Sequence, residues 1–356
     1  VGRLRTHEGI NKAIELAEIT GSSVRTSATS GPLSFPERHP LCGEGYNKDY
    51  DYVLGLESDG KNTSIQGPTL LSRADKRDLS NIGFGFIRKP VIPPRRDLSG
   101  ENDLTADAEA SIPIIIEEYK RIQKADNISD TAEKIRLDTS ANIRKHEKDL
   151  KQTLNKKRKG WNSSPVSLGR LYAELWPLIK DLDWCLSSPT VFSSRHHVGM
   201  WEHNKPYSYL GMHGAGGIGY CIGASAGAGL AAKTRNRIVI NIQCDGDLNY
   251  TPGSLWTATH HDLPLLTIMH NNRGYHQEVM YLQYMAGVRG RGTDRMHIGT
   301  TLREPFIDYA KLAEAYGMKN EGPIDNPNKL SAAYKRGINS VLNGEPYLID
   351  VITEPR

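Results

Sequence analysis

Residues 236–275, NRIVINIQCDGDLNYTPGSLWTATHHDLPLLTIMHNNRGY, decide the architecture of this chain. Two apolar runs of buried-strand length, 236–243 and 263–270, flank a stretch of helical character, PGSLWTATHH. Strands covered on both faces read as near-continuous apolar runs, and their alternation with helices implies a parallel, two-sided sheet. Ligands of such sheets bind beyond the carboxyl ends of the strands. Both ends here are polar. The first strand runs into Cys244-Asp245-Gly246-Asp247 and the second into Asn271-Asn272-Arg273-Gly274-Tyr275. Asp245 and Asn272 supply two hard oxygen donors, and carbonyls, waters and ligand phosphates would complete an octahedral Mg²⁺ shell. Gly246 lets backbone approach a phosphate, and the helix start that follows favours anions. Taken singly, Asp245 and Asn272 read as ordinary turn residues. Taken together, they are harder to dismiss as turn residues alone.

Working outward, 304–317 and 328–342 read as helices, and 346–352 (PYLIDVI) as a last central strand. Toward the N-terminus, 7–19 places Ile10, Ala13, Ile14, Leu16 and Ala17 on one helical face. A short strand is predicted around Ser23–Thr26, with further strands over 50–59 and 84–92. A helix over 106–123 is interrupted at Pro113 or begins there. Residues 124–160 are highly charged, with a solvated helix in their periodic part. Their basic end, NKKRKGWNSS, lacks interleaved aromatics and follows acidic residues, which argues against a nucleic-acid patch. The expected division is a central α/β domain over 1–125, a charged helical linker over 126–164 and a second α/β domain over 165–356.

At 356 residues, with 38% hydrophobic and 24% charged residues, the chain has the composition of a globular protein. A net charge of +4 is too small to imply a nucleic-acid or membrane partner. The Gly- and Ala-rich run 214–232 makes a poor membrane span. Four scattered cysteines form no CxxC pair and read as reduced, buried thiols, which places the chain in the cytoplasm. The chain opens on Val1 with no signal-peptide pattern, as a trimmed, cleaved or excised N-terminus would.

The stretch 244–275 resembles the signature of thiamine diphosphate-dependent enzymes, a GDG followed after a fixed interval by NN. Asp245 and Asn272 stand 27 positions apart, the family's usual spacing, and the flanking residues are similar to acetolactate synthase-like members. Cys244 replaces the first Gly of GDG, a thiol that fits if it points into the core. A second segment, HGAGGIGYCIGASAGAGLAA at 213–232, resembles the family's glycine-rich stretch and the buried helix after it. SFPERHPLCGEG and DYDYVLGLESD (34–45 and 49–59) look like the middle domain, so the resemblance covers nearly the whole chain.

The fold implied is α/β, with two doubly wound parallel-sheet domains: a central Rossmann-like domain, then a diphosphate-binding (PP) domain. By resemblance Asp245, the Asn272 side chain and the Gly274 carbonyl ligate Mg²⁺. Gly246, Asp247 and Tyr275 join them around thiamine diphosphate, and Ser193 and Ser194 stand where phosphate-binding hydroxyls often lie. The Gly216 carbonyl accepts a bond from the cofactor's 4′-amino group, and Ile218 is the wedge that bends the cofactor.

The family's pyrimidine-binding domain, with its glutamate, has no place in this sequence. A second polypeptide is therefore expected to supply it, in a hetero-oligomer such as α2β2. The implied activity is that of a lyase or carboligase acting on 2-oxo acids, and decarboxylation and carboligation differ only in what captures the product of CO₂ loss.

Histidines gather near the site: His196, His197, His213, His270 and His276. His is the side chain suited to proton transfer near neutral pH. His213 and His276 are the candidates to face substrate, whereas His270 reads as a locally bonded residue. Glu278, six positions beyond Asn272, matches a substrate-facing glutamate of some family decarboxylases, although its helix could equally turn it to solvent. A catalytically inactive, cofactor-holding subunit and a simple decarboxylase are the alternatives. Gly214, Gly216 and Gly219 also spell GxGxxG, but no buried strand precedes them as a nicotinamide-binding fingerprint requires.

Overall fold

A computed structural model describes residues 4–24, 35–36, 38–42, 54, 56, 107–125, 147–187, 200–211 and 217–355. The chain divides into two compact units, Val1–Gln152 with Glu202–Gly214, and Thr153–Trp201 with Ala215–Arg356.

In the first unit, α1 (His7–Thr20) starts at Thr6, whose side chain accepts the Gly9 N–H, and stops at Gly21 in the left-handed region. It buries Ile10, Ala13, Leu16 and Ala17; Ile14 is half-buried. These residues pack with Ala108, Ile112 and Ile116 of α2 (Ala108–Ala125), spaced four apart on one face. The α2 helix runs unbroken through Pro113. Only one i→i−4 donor is lost there, close to the helix start, where Asp107 Oδ1 accepts the Ala110 N–H. The strand predicted at Ser23–Thr26 is reduced to a single bridge, Val24 with Cys42. Those over 50–59 and 84–92 fall outside the described residues, apart from Leu54 and Leu56.

After α3 (helical over 147–157), which spans the division at Gln152, the second unit holds α4 (Leu168–Ile179), β1 (Trp184–Leu186), α5 (Tyr220–Ala232) and β2 (Ile238–Cys244). Then follow α6 (Asp245–Leu248), α7 (Ser254–His260), β3 (Leu265–Asn271), α8 (His276–Val288), α9 (Tyr309–Ala315), β4 (Lys319–Ile324), α10 (Leu330–Leu342) and β5 (Tyr347–Ile352). The five strands form one parallel sheet in the order β1-β2-β3-β5-β4.

The chain steps across this sheet from β1 to β2 to β3, jumps to β4 at the far edge, and returns inward to β5. Right-handed crossovers therefore put α10 on the face opposite α5 and α7, and the sheet is wound on both sides. The apolar stripe of α10, Leu330, Ala333, Tyr334, Ile338 and Val341, is buried, each large side chain worth about 1.5–3 kcal/mol. Tyr334 donates its hydroxyl to the Leu171 carbonyl of α4 at 3.0 Å. Trp201 lies against Trp176, Trp184 and Tyr172, and its indole N–H reaches the Tyr172 carbonyl at 2.9 Å.

All four cysteines are free, but only Cys185 and Cys221 are buried; Cys42 and Cys244 are half-buried. Among the described residues no helix is long and apolar enough to cross a membrane.

Candidate functional site

Strand register builds the site. Cys244 of β2 pairs with His270 of β3, so the residues following each strand emerge side by side at the carboxyl end of the sheet. Asp245 is buried there. Its Oδ1 accepts the Gly246 N–H at 2.8 Å and its Oδ2 the Gly274 N–H at 3.0 Å, a bond from one tip to the other. Burial pushes the carboxyl up to about 7, a rise that the backbone amides of Gly246, Gly274 and Arg273 only partly oppose. Asn272 is 8% exposed, and its Oδ1 is buried without a hydrogen-bond partner. Buried acceptors are rarely left so, because the lost solvation is not recovered. A buried carboxylate beside an unpartnered amide oxygen is a donor set that a divalent cation would satisfy.

The turn that follows Asn272 is tightly held. Arg273 has φ +61° and its guanidinium stacks over Phe306. Arg273 O accepts the Leu302 N–H at 2.9 Å, and Tyr275 N–H donates to Thr300 O at 2.7 Å. Gly246 passes beneath the Tyr275 ring, where an added Cβ would lie 2.7 Å from Cδ1. A side chain there would push the ring away.

Asp247 has both oxygens engaged within the protein. Oδ1 accepts the Gly219 N–H and Oδ2 the Gln243 side-chain amide, each at 2.7 Å. Gln243 Oε1 in turn accepts from Asn241 at 2.9 Å. Asn241 and Gln243 alternate on one face of β2, so the strand carries a buried polar row ending at Asp247. Gly219 O accepts the Thr251 hydroxyl at 2.6 Å. With φ +93° and Tyr250 Cβ only 2.7 Å from where a Cβ would sit, Gly219 is a position for glycine alone. Ile218, beside it, is exposed. The Cys244 thiol sits 3.8 Å from His270 Nδ1 rather than deep in the core, and His270 is buried.

His276 and Glu278 lie in the first turn of α8, both half-buried. Burial, aided by Arg303 and His297, lowers the His276 pKa and favours the neutral ring. Beyond that turn, α8 exposes Met280, Tyr281, Leu282, Tyr284 and Val288 and buries only Val279. Ser193, Ser194, His196, His197, His213 and Gly216 lie outside the described residues. Sequence reading overlooked Asn241, Gln243, Asn249, Tyr309 and Asp350, whose polar groups cluster at or behind the strand tips.

A parallel α/β unit with a carboxylate and an amide oxygen at neighbouring strand tips, backed by a pinned glycine at a helix start, has the build of a domain that binds the diphosphate of a cofactor. Residues 192–351 match the model of the thiamine pyrophosphate enzyme C-terminal TPP binding domain. This part of the chain is therefore similar to the thiamine pyrophosphate-binding domain of that enzyme family, and the curated relatives it matches are acetolactate synthase large subunits, one of them provisionally named. One is IlvX of Mycobacterium tuberculosis, provisionally named an acetolactate synthase large subunit, 31% identical over 103 residues, which is 29% of this chain and 19% of the relative. Another is the acetolactate synthase isozyme 3 large subunit of Escherichia coli, 25% identical over 157 residues, 43% of this chain and 25% of the relative.

Among solved structures, the thiamine diphosphate-dependent 4-hydroxybenzoylformate decarboxylase of Rhodococcus jostii RHA1 has a TM-score of 0.61 at 18% identity, over 98% of this chain and 59% of that one. Benzoylformate decarboxylase of Polynucleobacter necessarius has a TM-score of 0.63 at 15% identity, over 98% and 60%. These likenesses establish the shared fold. The matches span about a quarter or less of the curated relatives' length and about three-fifths of the structural neighbours.

Proposed function

We propose that this chain holds thiamine diphosphate through Mg²⁺, ligated by Asp245, the Asn272 side chain and the Gly274 carbonyl, and acts on 2-oxo acids as a lyase or carboligase subunit. The observation that carries this reading is the unpartnered Asn272 Oδ1 beside the buried Asp245 carboxylate. When bound, the cofactor supplies an electron sink for loss of CO₂ from a 2-oxo acid. Gly246 and Tyr275 line the diphosphate approach, with Ser193 and Ser194 as further hydroxyl donors. Asp247 holds Gly219, and with it the placement of Ile218 as the wedge against the cofactor. Gly216 offers its carbonyl to the cofactor's amino group. Glu278 transfers a proton at the substrate carbonyl oxygen, and neutral His276, with His213, accepts or donates hydrogen bonds beside it.

A second polypeptide carries the pyrimidine-binding domain and its glutamate. The apolar surface that α8 exposes, with Tyr281 at 62% and Tyr284 at 66%, supports such a partner. In this reading the central domain spans 1–125, the linker 126–164 and the diphosphate-binding domain 165–356.

The test is calorimetric titration of thiamine diphosphate with Mg²⁺ into the chain and into Asn272→Ala. Loss of a ligand should weaken binding by at least about 10–100-fold. Unchanged affinity sinks the metal assignment. Cofactor binding without turnover in the complex with its partner would instead point to an inactive holding subunit.

A further inference from the structure

Behind the strand tips lies a carboxylate with no role so far. Asp350 sits on β5 between β3 and β4, fully buried. It faces the irregular stretch of β4, where an added Cβ on Gly322 would lie 2.7 Å from the Asp350 Cβ. Acidic side chains are almost never buried completely unless paired, because desolvation of the charge is costly. The other β5 residues are apolar, and an Ile or Val here would pack into the sheet without that cost.

What the carboxylate does is link the two tips. Its Oδ1 accepts from the Asn271 side-chain amide at 3.0 Å, and Asn271 immediately precedes Asn272. Its Oδ2 accepts the backbone N–H of Tyr309 at 3.3 Å. Tyr309 is the first residue of α9, so this N–H is one of the donors a helix start leaves unsatisfied. The Tyr309 hydroxyl then lies 3.1 Å from the Asp245 carbonyl and 3.2 Å from Asn249 Oδ1, within donating range of both. One buried side chain thus reaches Asn272 through its neighbour and Asp245 through Tyr309. The charged groups that influence it are Asp308 and Arg273.

We propose that Asp350 is a positioning residue for the cation and diphosphate site, fixing the spacing of the Asp245 and Asn272 tips through Asn271 and Tyr309. The inference rests on the reading of those tips given above. Groups that orient metal ligands from behind typically alter metal affinity 10–100-fold when removed.

The experiment titrates Mn²⁺ into the full chain with thiamine diphosphate, read by electron paramagnetic resonance, for wild type, Asp350→Asn, Tyr309→Phe and the double variant. Thermal melts run in parallel. Asp350→Asn should weaken Mn²⁺ binding about 10–100-fold. Tyr309→Phe should weaken it in the same direction, and the two should combine less than additively because they act along one chain of bonds. Excess Mn²⁺ should restore occupancy in each. A merely structural Asp350 would lower the melting temperature and leave the Mn²⁺ affinity of the folded protein unchanged, and that result overturns the proposal. Additive effects overturn it as well. If Asp350→Asn fails to fold, Tyr309→Phe, which deletes one oxygen, decides the matter by the same criterion. If wild type binds no Mn²⁺ with the cofactor, the reading of the tips falls and this inference with it. If wild type binds and the variants bind equally, only this inference falls.

Discussion

Asp245, the proposed cation ligand, should make both stability and cation binding depend on pH, with a sign set by its surroundings. Its carboxyl rises from an ordinary 3.8 to about 7 because burial disfavours the charge. A rise of that size corresponds to about 4 kcal/mol between the two protonation states. The folded-state value lies above the unfolded one, so between about pH 4 and about pH 7 the folded chain binds more protons. The favourable contribution is therefore complete below about pH 4 and is lost as pH rises through about 7. In urea titrations with EDTA, wild type should lose up to about 4 kcal/mol relative to Asp245→Asn between about pH 4 and about pH 8. Asp350, raised to about 6 by burial, adds its own slope, but it is present in both proteins and cancels in the difference. Mn²⁺ competes with the proton for the carboxylate, so its affinity should tighten about tenfold per pH unit below about 7 and level off above. Parallel stability curves for the two proteins, or a Mn²⁺ affinity flat across that range, would refute the argument.

Two further substitutions test how the site is held. Gly219→Ala should cost roughly 1–3 kcal/mol by chemical denaturation, since φ is +93° and Tyr250 Cβ would lie 2.7 Å from the new carbon. It should weaken thiamine diphosphate binding in the same calorimetric assay. Gln243→Leu removes the donor to Asp247 Oδ2 and the acceptor for Asn241, and should lower stability by roughly 1–3 kcal/mol. Replacing Asn241 with Val in that background should recover part of the loss in thermal melts, because one stranded donor disappears.

The elements legible in the sequence were those whose burial shows in one dimension. β2, β3 and β5 are covered on both faces and read as apolar runs, and α10 carries a regular stripe. β1 has three residues, too few to establish a period, and β4 is KNEGPI, largely exposed along an edge. Neither offers a hydrophobic signal. That Asp245 and Asn272 would stand at neighbouring strand tips was legible because each follows a strand run, and register brings those strand ends together. The polar row of Asn241 and Gln243, and Asp350 behind it, were hidden for the opposite reason. A buried polar residue in an apolar strand looks like an interruption until its partner, here Asp247 or Tyr309, is seen in space.

The β4 edge also sets how the sheet can grow. Its register breaks between Glu321 and Ile324, Pro323 offers no amide hydrogen, and Lys319 and Glu321 bring charge to the rim. Bulges, prolines and charges at a rim discourage a foreign strand from zipping on. That border therefore disfavours fibre-like stacking of one sheet upon the next, and assembly by this side of the domain is better served by side-chain surfaces than by shared main-chain ladders.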